Sequence, residues 1–208
     1  MFKKLVEAIA EIREQEALAT AKKLLDGGTD PVKVLDDARE ALRIVGQRFE
    51  EREYFLPELM MSSEIVREIS ELAKPLLTKD METKHRGKIV FGTVEGDIHD
   101  LGKNIVITML ECAEFKVVDI GVDAPAQRFV EAVVDSKASL VGMSMLLTTV
   151  FDAARDTVVA ITQANLRDKV KIMIGGSVTN EDVRRDIGAD FWGRDAAAAV
   201  DIAREVYP

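Results

Sequence analysis

The residues best suited to chemistry lie in one short stretch, Glu95–Asn104 (EGDIHDLGKN). In this stretch Asp97 and His99 are two positions apart, and Gly96 and Gly102 flank the pair. A carboxylate this close can accept a hydrogen bond from one imidazole nitrogen, which fixes the tautomer and makes the other nitrogen a better ligand. Gly102 would let a bulky group approach the backbone closely. The pattern indicates a metal-binding histidine, although histidines beside acids are also common on ordinary protein surfaces.

The elements around this stretch place it at the edge of a sheet. Residues 88–94 (KIVFGTV) form an apolar run typical of a buried strand, and a helical pattern follows at 103–114. The loop therefore lies at the carboxyl end of a strand, where open α/β sheets bind their ligands. The chain has two histidines, and His85 lies in a charged connecting segment, so His99 is the only good candidate for site chemistry.

The first part of the chain, residues 1–77, has apolar residues at helical spacing and predicts a small helical bundle. The predicted helices cover residues 5–25, 31 to about 52, and 59 to about 75. Asp30 and Pro31 form a typical start for the second of them, and Tyr54–Glu58 breaks the helical pattern. Residues 78–86 (TKDMETKHR) are polar and predict a linker to a second domain at 87–208.

In the second part, short apolar runs alternate with helical stretches, which predicts a parallel sheet with helices on both faces. The predicted strands are 88–94, 116–120, 139–143, 170–174 and a short one near 189–192. The predicted helices are 103–114, 126–136, 150–165, 180–186 and 195–206. The fold class is therefore α/β: an N-terminal helical bundle followed by a flavodoxin/Rossmann-like domain with a five-stranded parallel sheet, flavodoxin-like being preferred. No glycine-rich phosphate loop follows the first strand, so a nucleotide or flavin site has no motif support.

Composition narrows the classes of function. The 208 residues carry a net charge of −9, which argues against a nucleic-acid-binding protein. A single cysteine excludes an internal disulfide framework and fits a reducing compartment. No apolar run approaches a membrane-spanning length. We expect a cytoplasmic protein whose partners include neither nucleic acid nor membrane.

Two further loops at the same predicted edge of the sheet complete a three-part signature. It consists of Asp-x-His-x-x-Gly (97–102), Ser-x-Leu (144–146) and Gly-Gly (175–176), with 41 residues between the first two parts. This signature resembles that of the cobalamin-binding domains of methionine synthase and of corrinoid carrier proteins in methyltransferase systems. The segment Tyr54–Leu59 (YFLPEL) extends the resemblance into the helical part, so it covers nearly the whole chain.

The resemblance implies a cofactor, cobalamin (as methylcobalamin or another corrinoid), and a role for each matching residue. His99 would bind the cobalt from the lower face and displace the dimethylbenzimidazole base, the arrangement called base-off, His-on. Asp97 would hydrogen-bond His99, and Ser144 would hydrogen-bond the displaced base. The helical part would cover the upper face, with Phe55 near the cobalt-bound methyl. The implied cofactor-binding residues are Asp97, His99, Gly102, Ser144, Leu146, Thr148, Thr149, Gly175, Gly176, Phe55 and Met60.

The loops after the third and fourth strands would hold the nucleotide tail. Gly175 and Gly176 would leave room for it, and Thr148 and Thr149 would contribute hydroxyls near the corrin or the tail. Leu59 and Met60 are further candidates beside Phe55 on the upper face. One position departs from methionine synthase: Val150 stands where that enzyme has a serine that completes a His–Asp–Ser relay. Thr149 or a water molecule is a candidate substitute.

The function implied is that of a free-standing methyl carrier without catalytic activity of its own. Its partners would be a substrate-specific methyltransferase, a second methyltransferase that uses tetrahydrofolate or coenzyme M, and a reductive activase. The donor would be methanol, a methylamine, a betaine or a methoxylated aromatic compound. Two cobalamin alternatives are the small subunit of an adenosylcobalamin mutase, which usually lacks a helical cap, and a sensor or regulator. The sensor would need a tryptophan in the cap, and the only one is Trp192. A flavodoxin-like module that binds no cobalamin would leave the signature unexplained.

Overall fold

The computed structural model describes residues 2–76 and 85–208, and residues 78–84 of the predicted linker lie outside this described part. The chain forms two compact units. The helical unit contains the described residues up to His85 together with Cys112–Glu114. The sheet unit contains Arg86–Glu111 and Phe115–Pro208. Among the described residues, no helix combines the length and the hydropathy that a membrane crossing requires.

The described residues of the helical unit form four α-helices around an apolar core. They are α1 (Lys3–Ala10), α2 (Glu14–Asp26), α3 (Pro31–Glu50) and α4 (Leu56–Ala73), with a 3-10 turn at Lys74–Leu76 after α4. Leu5, Ile9, Val34, Ile65 and Ile69 are among the core residues, and each is almost completely buried. Their helical spacing places one apolar face of each helix against the others.

The single helix predicted over residues 5–25 is wrong, because the chain turns between α1 and α2. Ile12 has a φ of +56°, and the N–H of Arg13 donates to the carbonyl of Ala8 at 2.8 Å. The carbonyl of Ala10, at the end of α1, accepts hydrogen bonds from Arg48 (3.1 Å) and from the hydroxyl of Tyr54 (2.8 Å). Long-range partners therefore satisfy the helix end, and the apolar periodicity continues through the turn because Ile12 still packs on the core.

The predicted start of α3 is confirmed. Pro31 is the first helical residue, and the Asp30 carboxylate accepts a hydrogen bond from the N–H of Val32 at 3.0 Å. Helix α4 begins at Leu56, immediately after Phe55, whose own N–H donates to the Glu58 carboxylate at 2.9 Å. The break predicted over Tyr54–Glu58 is therefore shifted toward the N-terminus, because α3 ends at Glu50 and α4 begins at Leu56.

Replacing Asp30 with alanine is expected to lower the free energy of unfolding of the helical unit by about 1 kcal/mol, because the first turn of α3 loses its side-chain acceptor. Urea unfolding followed by far-ultraviolet circular dichroism measures this change. Asp26→Ala is the matched control: it removes the same carboxyl group from the end of α2, where no cap is lost. An equal loss in both variants would contradict the capping role.

The sheet unit has five parallel strands in the order β2-β1-β3-β4-β5, so the predicted flavodoxin-like fold is confirmed. The strands are β1 (Lys88–Thr93), β2 (Lys116–Asp119), β3 (Leu140–Ser144), β4 (Lys171–Gly175) and β5 (Phe191–Gly193). The helices are α5 (Leu101–Cys112), α6 (Ala126–Ser136), α7 (Phe151–Gln163), α8 (Glu181–Ile187) and α9 (Ala196–Val206), and a 3-10 turn at Thr148–Val150 precedes α7. The last strand, predicted near 189–192, begins at Phe191. At Asp190 the side-chain carboxylate, not a backbone carbonyl, accepts the N–H of Ile172.

The strand order fixes the place of the site. The chain leaves β1 toward β2 on one side and then returns across the sheet to β3 on the other side. Such a reversal leaves a crevice at the carboxyl ends of the two central strands. The loops after β1, β3 and β4 all lie at this edge, as the three-part signature requires.

Candidate functional site

The loop after β1 is held by hydrogen bonds at both ends. The N–H of Gly96 donates to the Asp123 carboxylate at 2.7 Å, and the N–H of Asp123 donates to the carbonyl of Asp97 at 2.9 Å. Nearer to α5, the hydroxyl of Thr93 donates to the carbonyl of His99 at 2.9 Å. The backbone on each side of Asp97 and His99 is therefore fixed by groups of the strand and of the neighbouring loop.

Asp97 is the polar centre of the site. Its side chain is completely buried, and its Oδ1 lies 2.6 Å from His99 Nδ1. The same Oδ1 accepts the N–H of His99 at 3.0 Å, while Oδ2 accepts the N–H of Leu146 at 2.6 Å. The carboxylate thus joins the loop after β1 to the loop after β3, and the predicted Asp97–His99 hydrogen bond is present.

The hydrogen bonds keep the Asp97 carboxyl ionised. Burial alone would raise its pKa, because a charged group is poorly solvated inside a protein. The N–H groups of Leu146 and His99, together with the His99 ring, more than offset this burial, and the pKa lies below its ordinary value. An ionised Asp97 accepts from Nδ1, so Nε2 of His99 is the nitrogen left for a ligand.

His99 is half exposed, with 49% of its side chain accessible. Within residues 2–76 and 85–208, no group of three or more His, Cys, Asp or Glu side chains is placed to hold a metal ion. A site with one protein nitrogen suits a metal that brings its remaining ligands with it, as in a macrocycle. It does not suit a bare structural zinc ion, which takes four protein ligands.

A cavity of about 720 Å³ opens beside His99. It lies over the carboxyl ends of β1, β3, β4 and β5, with α5 on one side and the start of α9 on the other. Its volume falls within the range of about 300–1,000 Å³ that small-molecule sites have. Six of the predicted residues line it: His99, Gly102, Ser144, Leu146, Gly175 and Gly176.

Gly175, the last residue of β4, and Gly176, the first residue after it, differ in the space that their backbones leave for a side chain. Gly176 has a φ of +125°, and a Cβ there would lie 1.8 Å from the carbonyl oxygen of Met145. Gly175 needs no such φ, and a Cβ there would lie 3.3 Å from the carbonyl oxygen of Gly193. The carbonyl of Met145, in the loop after β3, therefore requires glycine at position 176 even without a ligand, whereas the sequence predicts this glycine only as room for a ligand.

The predicted threonines stand apart from the cavity. Thr148 and Thr149 are exposed on the 3-10 turn before α7 and are not among the residues that line the cavity. Val150, at the position of the relay serine, is buried. The second carboxylate oxygen of Asp97 accepts the N–H of Leu146 at 2.6 Å. A substitute role for Thr149 or water in the relay stays a prediction.

Phe55 and Met60 lie on the helical unit, at the start of α4. Phe55 is 67% exposed and Met60 is 41% exposed, whereas Leu59 between them is completely buried. The exposed pair remains available to a ligand, and its proposed place near the upper face of the cofactor remains a prediction. Leu59 packs in the interior of the helical unit, so its side chain is not available to contact a cofactor.

Sequence reasoning missed two features of the site. Lys103, in the first turn of α5, is 3% exposed and donates to Asp119 at 2.7 Å and to Asn104 at 2.8 Å. This ion pair, in which the lysine is buried and the aspartate is 41% exposed, ties α5 to the end of β2. The second missed feature is the wall formed by Arg194, Asp195 and the first turns of α9. A lysine within an apolar helix signals the ion pair, but no local pattern signals the wall.

The chain matches two family models. Residues 87–201 match a model described as B12 binding domain, and residues 1–74 match a second model with the same description. The two matches correspond to the sheet unit and to the helical unit.

Known relatives match over nearly the full chain. Trimethylamine corrinoid protein 1 of Methanosarcina acetivorans is 38% identical over 202 residues, which are 96% of this chain and 94% of that protein. A solved cobalamin-binding protein from Desulfitobacterium hafniense is 32% identical, with a TM-score of 0.65, and the match covers 98% of this chain and 97% of that one. A chain of the methanol:cobalamin methyltransferase complex MtaBC from Methanosarcina barkeri is 29% identical, with a TM-score of 0.87 and coverage of 98% and 78%.

Proposed function

Because the chain belongs to the B12-binding corrinoid proteins of methyltransferase systems, we propose that it carries a methyl group on a bound corrinoid between two methyltransferases. One observation carries the proposal: a half-exposed imidazole, fixed by a buried carboxylate, stands at the mouth of a cavity of about 720 Å³. The imidazole would be the axial ligand, and the cavity would take the tail that it displaces.

The donor set fits a corrinoid. A corrin ring leaves its cobalt one lower position, and the site offers one nitrogen, Nε2 of His99, for it. Ile98 and Leu101, on either side of His99 in the sequence, are 73% and 62% exposed and give the mouth of the site an apolar surface. Exposed apolar side chains around a single polar ligand are typical of a cofactor surface. The proposal is therefore base-off, His-on binding.

A bound corrinoid supplies a cobalt centre that takes up and releases a methyl group. The protein would do three things for it. His99 would ligate, and Asp97 would hold the tautomer and orientation of His99 through the bonds at 2.6 and 3.0 Å. Phe55, immediately before α4, and Met60 on α4 would shield the upper face from water, and this cover would move when a partner enzyme docks.

Two kinds of partner follow from this function. The first is a substrate-specific methyltransferase that loads the carrier, and the likeness to a chain of the MtaBC complex supports it. The relative named for trimethylamine supports a methylamine donor, and MtaBC supports methanol. The second partner is a methyltransferase that passes the methyl group to coenzyme M or tetrahydrofolate. A reductive activase would restore oxidised cofactor.

Anaerobic reconstitution tests the proposal. The purified chain should retain about one cobalamin per molecule through gel filtration and show the visible spectrum of the base-off form. Loaded with methylcobalamin, it should lose its methyl group only when a second methyltransferase and one acceptor are added. Coenzyme M and tetrahydrofolate are supplied in separate assays, which identifies the acceptor. A chain that emerges from the column without cobalamin would contradict the proposal.

Gly102→Ala is expected to stabilise the cofactor-free protein and to weaken its binding of cobalamin. Gly102 lies in the first turn of α5 and lines the cavity, and a Cβ there would meet no atom within 4 Å. Alanine should therefore raise the free energy of unfolding of the cofactor-free protein by about 0.5 kcal/mol, because it favours the helix. The same methyl group should weaken cobalamin binding, because it points into space that the cofactor would use.

Chemical denaturation and equilibrium dialysis measure the two effects of Gly102→Ala. Gly188→Ala is a useful contrast, because Gly188 has a φ of +83° and lies away from the cavity. That variant should lose stability and keep its affinity for cobalamin. Unchanged cobalamin binding in Gly102→Ala would exclude a close approach of the cofactor at this position.

A further inference from the structure

The depth of the cavity can be read from the strand register. Thr93, Ser144, Gly175 and Gly193 pair across β1, β3, β4 and β5 and form the last row of the sheet. Phe91, Gly142 and Met173 form the row two residues earlier on the first three of these strands. Residues two apart on a strand face the same side, so both rows belong to one face, about 7 Å apart.

The two rows differ in the size of their side chains. The last row carries only small side chains, and its two glycines open the cavity above β4 and β5. In the inner row, the Phe91 ring lies across Gly142: a Cβ on Gly142 would be 2.3 Å from that ring. Phe91 and Met173 are 4% and 2% exposed and form a floor under the open part.

The helical walls of the cavity become apolar toward its inner end. On α5 the cavity is lined by Ile105 and Val106, about one turn inward from Gly102. On α9 it is lined by Ala199, one turn inward from Ala196. The lining residues with polar side chains, such as Ser144, Ser177 and Arg194, belong to the mouth, and the ammonium group of Lys103 is turned to Asp119. The inner end is therefore apolar on all these sides.

We propose that the inner end of the cavity, a slot with Phe91 and Met173 as its floor, makes the chain selective for corrinoids with a benzimidazole lower base over those with a purine lower base. Phe91 and Met173 are the specificity-determining residues. The inference rests on the proposed corrinoid function and specifies its ligand. The far edge of dimethylbenzimidazole carries methyl groups, which suit an apolar floor. The corresponding edge of adenine carries an amino group and ring nitrogens, and in the slot these would lose water without gaining a partner.

Binding of three compounds to the intact chain tests the proposal: cobalamin, its analogue with adenine as the lower base, and cobinamide, which has no nucleotide tail. Dissociation constants are measured anaerobically by equilibrium dialysis. Cobalamin should bind at least about tenfold more tightly than the adenine analogue, the usual size of one lost buried polar interaction. Equal affinity for the two, or tighter binding of the adenine analogue, would overturn the selectivity.

The same experiment distinguishes a failure of the proposed corrinoid function from a failure of the proposed selectivity. If none of the three compounds binds, the corrinoid function itself fails. If all three bind equally, the corrinoid function stands and the slot has no role in selectivity.

A pair of variants at the floor assigns the effect to the slot. Met173→Gln places an amide among the floor residues at almost unchanged volume and should reduce the preference for cobalamin severalfold. Met173→Leu, the matched apolar control, should keep it. Circular dichroism establishes that each variant is folded, and the wild-type comparison stands on its own if Met173→Gln does not fold. A folded Met173→Gln protein with an unchanged preference would overturn the assignment.

Discussion

Gly176→Ala is expected to lower the free energy of unfolding of the sheet unit by at least about 3 kcal/mol, and to weaken cobalamin binding with it. The position has a φ of +125°, which costs any other residue backbone strain. The added Cβ would also overlap the carbonyl oxygen of Met145 at 1.8 Å. Relief of this overlap must move Met145, and the next residue, Leu146, provides the N–H that binds Asp97.

Gly175→Ala is the matched control for this prediction. It adds the same methyl group one residue earlier, where a Cβ meets the carbonyl oxygen of Gly193 at 3.3 Å and no positive φ is required. Its cost should be about 1 kcal/mol, and its hydrogen bonds around Asp97 should survive. Denaturant unfolding of both variants measures the difference. Equal stability losses would show that the Met145 backbone does not impose the glycine at 176.

Asp97→Asn is expected to destabilise the protein by about 2–3 kcal/mol, because hydrogen bonds to a charged acceptor are lost and the new NH₂ group faces an N–H donor. All three donors, the His99 ring, the His99 N–H and the Leu146 N–H, converge on this one buried carboxylate. Cobalamin affinity should fall roughly 10- to 100-fold, the usual effect of losing the partner of a ligating histidine.

Asp100→Asn makes the same chemical change three residues later in the same loop. Asp100 is exposed, and its side chain accepts only a long hydrogen bond, at 3.4 Å, from Asn104. The stability of Asp100→Asn should stay within about 0.5 kcal/mol of the wild type. Asp100 also lines the cavity, so a small loss of cobalamin affinity is expected, well below that of Asp97→Asn. If Asp100→Asn reduced affinity as much as Asp97→Asn, the net charge of the loop rather than the orientation of His99 would explain the effect.

The parts of this fold that the sequence predicts are those with a local cause. Apolar runs mark the strands, and Asp30 with Pro31 marks the start of α3, because the cap and the proline act within one turn. The turn at Ile12 could not be predicted, since the partners that hold it, Arg48 and Tyr54, are more than 35 residues away along the chain.

In the candidate site, too, the features with a local cause could be predicted and those that depend on distant parts of the chain could not. Asp97 and His99 stand in one loop, so their hydrogen bond could be predicted from a spacing of two residues. The N–H of Leu146 could not be found, because a backbone donor leaves no trace in the side-chain pattern. The floor made by Phe91 and Met173 depends on the register of three strands, which becomes known only when the pairing of the strands is known.

The central claim is that His99 is the axial ligand of a bound corrinoid. Electron paramagnetic resonance of the protein, labelled with ¹⁵N-histidine and loaded with unlabelled cobalamin in the cobalt(II) state, tests it most directly. A histidine ligand predicts a two-line nitrogen splitting from ¹⁵N, which disappears in His99→Ala. A three-line splitting from ¹⁴N would mean that the cofactor keeps its own base, and this result would contradict the account.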